Sequence, residues 1–132
     1  MKYRLFAIAL VCLVVPVVTI AQDAPGVKVE EIVFCTAVQD RAPAGIDTAF
    51  ASTVENVCCF VKVAGGADTT SITHVWYYMD REMARVELAV KARSWRTWSS
   101  KKIAPEWQGA WRVDVLGPAG EVLKSAAFAI KP

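Results

Sequence analysis

The chain has 132 residues, with 15 Lys and Arg against 13 Asp and Glu, a net charge of +2, and 55% hydrophobic residues. That apolar content supports a packed core, and so small a charge gives no footing to a nucleic-acid binder, which needs a phosphate-neutralising excess.

Lys2 and Arg4 precede an uncharged run from Leu5 to Ala21, which ends in Thr19-Ile20-Ala21 before Gln22. Charged start, apolar middle and small-residue end together predict a cleaved export signal over residues 1–21. An uncleaved anchor is the rival reading and would be the chain's one membrane attachment, but the run is short and Pro16 interrupts it. Val11 stands where a lipid-attachment signal before Cys12 would need a small residue, so lipidation is not expected. The chain is therefore expected to be exported, periplasmic or extracellular, with one domain over residues 22–132.

Without Lys2 and Arg4 the remainder holds 13 cations and 13 carboxylates, unevenly spread. Residues 22–80 carry −5 and residues 81–132 carry +5. Such asymmetry can steer an anionic partner, although an ordinary solvated face shows it as well.

In chain order, hydrophobicity alternates with a period of two nearly everywhere. Val27, Val29, Val33, Cys35 and Ala37 share one parity, so residues 27–38 predict a strand. Residues 44–53 are ambiguous, an edge strand or a helical turn. Val57, Cys59, Val61 and Val63 line one face of the next strand, with Lys62 pointing away. Ile72, His74, Trp76 and Tyr78 line another, then Val86, Leu88 and Val90. Trp111, Val113 and Val115 form a hairpin with Val122, Phe128 and Ile130 around Gly117-Pro118-Ala119-Gly120. No helix-spaced apolar stripe persists. The expectation is an all-β, immunoglobulin-like antiparallel β-sandwich of about seven strands. A true immunoglobulin domain has its core Trp between the bridging cysteines, whereas Trp76 follows all of them, so the topology is expected to differ.

With Cys12 removed, Cys35, Cys58 and Cys59 remain. In an oxidising compartment a pair should bond. Neighbouring Cys58 and Cys59 point to opposite faces, and Cys59 and Cys35 share the parities of apolar neighbours, which favours a Cys35–Cys59 bridge. Reduced thiols and a strained vicinal bridge are the alternatives. Three thiols and the one His lack metal-ligand spacing, so neither metal nor cofactor is expected.

Several stretches together carry a resemblance: Cys35 with Arg41-Ala42-Pro43, Cys59-Phe60, His74-Val75-Trp76, Trp95-Arg96-Thr97-Trp98-Ser99, Gly109-Ala110-Trp111-Arg112-Val113, and Gly120 to Leu123 before Phe128. In these the chain resembles the bacterial domain-of-unknown-function family numbered 2914, over nearly all of its length after residue 21. The resemblance implies an exported or membrane-attached bacterial domain with no defined activity and no catalytic residues to carry over.

Residues 91–102, KARSWRTWSSKK, are the candidate binding surface. If the strand from Val86 continues in phase, strict alternation cannot bury both tryptophans. Either a bulge shifts the register, or Trp98 is core and Trp95 lies outside; the second is preferred because Arg96 buried without a carboxylate would be costly. Trp95 with Lys91, Arg93 and Arg96 would then suit a sugar ring or an acidic glycan. The plainer reading is an Arg stacked on Trp95 as internal packing.

His74, Trp76, Trp98 and Trp111 read as structural. A hydrolase triad on His74 is a remote alternative, because a lone His on an apolar face is more often a hydrogen-bonded core residue and no nucleophile elbow or zinc motif occurs. The chain is expected not to be an enzyme. The two leading functions are an envelope module binding a glycan or an envelope protein, and an assembly subunit joined through a sheet edge or Cys58.

Overall fold

A computed structural model describes residues 26–66 and 69–132. The export signal expected over 1–21, with Cys12, lies outside the described residues. Ten strands follow in order: β1 (Lys28–Cys35), β2 (Ala37–Gln39), β3 (Ala42–Ala44), β4 (Ala49–Ala51), β5 (Asn56–Ala64), β6 (Thr70–Tyr78), β7 (Arg81–Val90), β8 (Ser94–Lys102), β9 (Gly109–Leu116) and β10 (Val122–Lys131). Among the described residues the fold is all-β. A three-stranded sheet, β1-β5-β8, and a five-stranded sheet, β4-β10-β9-β6-β7, form a sandwich beside a separate ribbon, β2-β3.

The straight strands follow the period of two. On β5, Val57, Cys59, Val61 and Val63 enter the core, where they join Ile72 and Trp76 of β6, Trp111, Val113 and Val115 of β9, and Phe128 and Ile130 of β10. Phe128 is the aromatic hub: its ring stacks on Trp111 at 5.8 Å and meets Trp76 and Phe50 edge-on, each at 6.1 Å. Such pairs add directional contacts to the area that they bury.

Three short strands raise the strand number above seven. The expected strand 27–38 breaks at Thr36 into β1 and β2, residues 42–44 supply β3, and the ambiguous stretch 44–53 supplies β4. Two tight hairpin turns carry positive φ at both central residues without glycine: Asp40 (50°) and Arg41 (59°), then Met79 (48°) and Asp80 (63°). Both positions in the left-handed region match the twist of flanking strands. Finally β4 pairs with β10 in parallel, so the sandwich is not wholly antiparallel.

Two irregularities reset the side-chain parity. The β1–β5 register shifts between Val29 and Glu31. One extra residue turns Ile32 and Phe34 inward and Val33 and Cys35 outward. The expected Cys35–Cys59 bridge is thereby corrected: Cys59 lies in the core, Cys35 on the opposite face, and all three described cysteines are thiols.

The second reset falls at Lys91–Arg93. The chain leaves the five-stranded sheet after Val90 and enters the three-stranded sheet at Ser94, so β8 does not continue the phase of β7. The expected placement of the two tryptophans is reversed. Trp95, opposite Val63, is half-buried against the core, while Trp98, opposite Phe60, is 37% exposed. No buried Arg96 results, because Arg96 shares the outer face with Trp98 and is exposed.

Candidate functional site

The outer face of the three-stranded sheet carries the candidate site. Phe60 and Trp98 are cross-strand partners with rings stacked at 6.2 Å, which gives this face an aromatic floor with one exposed ring. One step along, Lys62 lies directly opposite Arg96. Like charges facing each other across a strand pair are unfavourable by about 0.2 to 1 kcal/mol.

A third cation arrives from the ribbon. The left-handed turn Asp40-Arg41 carries Arg41 to the ring of Trp95, with its Cζ 5.2 Å from the ring centroid. Arg41, Lys62 and Arg96 line a pocket of about 370 Å³ with Ala92, Ser94 and Trp95. The nearest carboxylate contact is Glu30, whose Oε2 lies 3.7 Å from Lys62 Nζ in an exposed pair of small energetic weight.

Of the four binding residues predicted from sequence, Trp95 and Arg96 line this pocket. Arg93 and Lys91 are exposed on the β7–β8 connection and do not line it, and the Arg93 carbonyl accepts a hydrogen bond from the Gly65 N–H at 3.0 Å. Arg41 and Lys62 were missed. Lys62 was legible as an outward residue, but the approach of Arg41 depends on a turn without a glycine signal. The Trp95 ring is not an open platform, since Arg41 already covers part of it.

A larger concavity of about 790 Å³ lies between loops 52–56 and 102–106. Its charged lining mixes Glu55 and Glu106 with Lys102, so it lacks the single-sign character of the Arg41 pocket.

His74 occupies different surroundings. Its Nδ1 lies 2.6 Å from Ser99 Oγ, and the Trp76 Nε1–H donates to the same oxygen at 3.1 Å. With Oγ accepting from Trp76, the hydroxyl proton is free to point to Nδ1, which leaves the imidazole neutral and protonated on Nε2. Nε2 has no partner. Burial pushes the His74 pKa down to about 4. This Ser–His pair is sealed between the sheets, with Ser99 5% exposed and His74 0%. Trp111 is also internal, its Nε1–H donating to the Trp107 carbonyl at 3.0 Å. Among the described residues no group of three His, Cys, Asp or Glu converges as a metal site would, and no helix is long and apolar enough to cross a membrane.

Comparison with solved structures finds low similarity to a β-glucosidase from Listeria innocua in complex with glucose, at 11% identity and TM-score 0.45 over 80% of this chain and 16% of that one. A mutant of the same β-glucosidase in complex with laminaribiose is similar at 12% identity and TM-score 0.44, again over 80% and 16%. The chain thus spans 16% of the length of these matched structures. No curated protein matches. A family match covers residues 69–130, β6 to β10, and leaves outside it the Cys35, Arg41 and Cys59 motifs on which the wider resemblance drew. Residues 69–130, just under half of the chain, are similar to the family described as protein of unknown function (DUF2914).

Proposed function

We propose that the protein is a non-catalytic binding module of the bacterial envelope that recognises an acidic glycan at the Arg41–Lys62–Arg96 pocket. The observation that carries the reading is convergence. Three cations from three separate strands or turns surround one pocket, and two of them are held face to face at a cost in stability. An anionic ligand would relieve that repulsion, and an Arg presents planar donors that suit carboxylate or sulfate groups. The edges of Trp95 and the exposed Trp98 offer apolar surface to a sugar ring. The sealed Ser99–His74 pair supports leaving hydrolysis aside. Export to the periplasm or cell exterior, with a signal over 1–21 and a domain over 22–132, belongs to this proposal.

The test is affinity electrophoresis in polygalacturonate, with neutral dextran as control. Retardation by the acidic polymer alone, weakened by salt and lost in Arg96→Gln and Arg41→Asn, supports the reading; Asn tolerates the left-handed turn while removing the charge. Equal mobility in both gels rejects it. Retention on an acidic peptide instead of the glycan would replace the ligand class.

Assembly through a sheet edge is the second reading, favoured by the position of β8 at the end of the order β1-β5-β8. Its outer edge has no strand partner among the described residues, although Arg96, Lys101 and Lys102 on the strand discourage unspecific pairing. Light scattering of the purified chain separates the two readings, because a concentration-dependent dimer abolished by Thr97→Pro would favour assembly.

A further inference from the structure

The three thiols have unequal surroundings. Cys59 is on the inner face among core valines, where burial pushes its pKa up. Cys35 and Cys58 are direct cross-strand partners on β1 and β5, on the outer face, and are 0% and 8% exposed. They share a small apolar cluster with Phe60, against which Val33 and Val38 pack. Cys58 raises the proton affinity of the Cys35 thiol, and the backbone of Ala37 and Ala44 in the ribbon lowers it, so all three are its electrostatic neighbours. Directly opposed residues of an antiparallel pair have Cα atoms about 4.5 to 5.5 Å apart, inside the span that a disulfide bridges.

We propose that Cys35 and Cys58 are a disulfide-forming pair, closed by a disulfide-bearing oxidant, while Cys59 stays a thiol. Cys58, the more exposed, gives up its proton and attacks one sulfur of the oxidant, forming a mixed disulfide and releasing one thiol. Cys35 then loses its proton and attacks the Cys58 sulfur, which expels the second thiol. The protein is oxidised by two electrons and loses two protons; the oxidant's disulfide is reduced to two thiols. Burial, with the neighbouring Cys58, pushes the Cys35 pKa up to about 11, which leaves little thiolate for a first attack, so Cys35 acts only in the second step, where the mixed disulfide is held beside it. Cys59 has no such partner, because the sheet itself separates it from Cys35. The bridge would clasp β1 to β5 at the root of the ribbon, closing a loop that holds β2, β3 and β4.

The experiment equilibrates the full chain with oxidised glutathione, alkylates remaining thiols in denaturant, and maps the products by mass spectrometry with fragmentation between Cys58 and Cys59. The expected product joins Cys35 to Cys58, leaves Cys59 alkylated, and raises Tm by on the order of 10 °C, reversibly with reductant. Cys59→Ala should form the same bridge, and Cys58→Ala should stay reduced. A Cys35–Cys59 bridge, a Cys58–Cys59 bridge, a disulfide-linked dimer or three alkylated thiols in the wild-type chain would overturn the proposal.

Discussion

His74 on β6 and Ser99 on β8 join the two sheets through a contact of 2.6 Å between Nδ1 and Oγ, wholly inside the sandwich. The oxygen serves Trp76 as well, so one hydroxyl satisfies two buried rings. Ser99→Ala therefore leaves the Trp76 N–H and the His74 Nδ1 without partners, and each unsatisfied buried group costs about 1 to 3 kcal/mol. Urea unfolding should show a loss of about 2 to 4 kcal/mol. A loss under about 0.5 kcal/mol would mean that the rings find other partners.

The same imidazole makes stability depend on pH. Its folded pKa of about 4 lies below the unfolded 6.5 because burial disfavours the cation. Between those values the unfolded chain binds a proton that the folded chain refuses. The stabilisation is complete above pH 6.5, is lost as pH falls toward 4, and changes no further below. The shift corresponds to about 3 kcal/mol. His74→Asn, whose amide can still meet Ser99, should remove this part of the slope. Urea titrations of both proteins at pH 7 and pH 4.5 measure it, and parallel slopes would refute the assignment.

The fold was legible where strands are straight. Val57 to Val63, Ile72 to Trp76 and Trp111 to Val115 keep one parity throughout, because nothing interrupts their pleat. It was illegible at Glu30–Glu31, where one additional residue in β1 turns Cys35 away from Cys59, and at Lys91–Arg93, where the chain changes sheets and parity starts afresh. Alternation contains no sign of either event. The site was half legible for a related reason: Trp95 and Arg96 are neighbours in sequence, but Arg41 and Lys62 join them through non-local register and a turn lacking its usual glycine.

Trp98 and Trp95 should respond to truncation in the order set by their sheet face. Trp98→Ala loses an exposed ring stacked on Phe60, worth about 0.5 to 1.5 kcal/mol. Trp95→Ala removes a half-buried ring and its Arg41 contact and should cost more, about 2 kcal/mol. Acrylamide should quench the fluorescence of wild type more than that of Trp98→Phe. Equal quenching of the two would contradict the exposure of Trp98.

Met79 is an exposed apolar residue held at φ 48° in the β6–β7 turn, a region that costs most side chains about 1 kcal/mol. Met79→Asn keeps the turn geometry in a residue that tolerates it. Thermal unfolding should show a gain of about 0.5 kcal/mol. A loss would show that the sulfur's contact near Gly109 outweighs the backbone strain.

Arg96 offers a separation of stability from binding. It faces Lys62 across the strand pair while Arg41 lines the same pocket, so the folded chain holds three cations close together. Arg96→Glu converts the Lys62 pairing from repulsive to attractive, and should stabilise the fold by about 0.5 to 1 kcal/mol in low salt. Raising the salt concentration should stabilise wild type slightly by screening the repulsion, and should weaken the variant by screening its attraction. The two salt dependences therefore have opposite signs, which denaturant titrations at 20 mM and 500 mM salt would resolve. Retention by polygalacturonate should vanish in the same variant. A residue that lowers stability where it stands and is needed for ligand retention is what a binding site requires. If Arg96→Glu instead destabilises the fold at low salt, the guanidinium is making favourable contacts of its own, and the cationic pocket is ordinary surface packing.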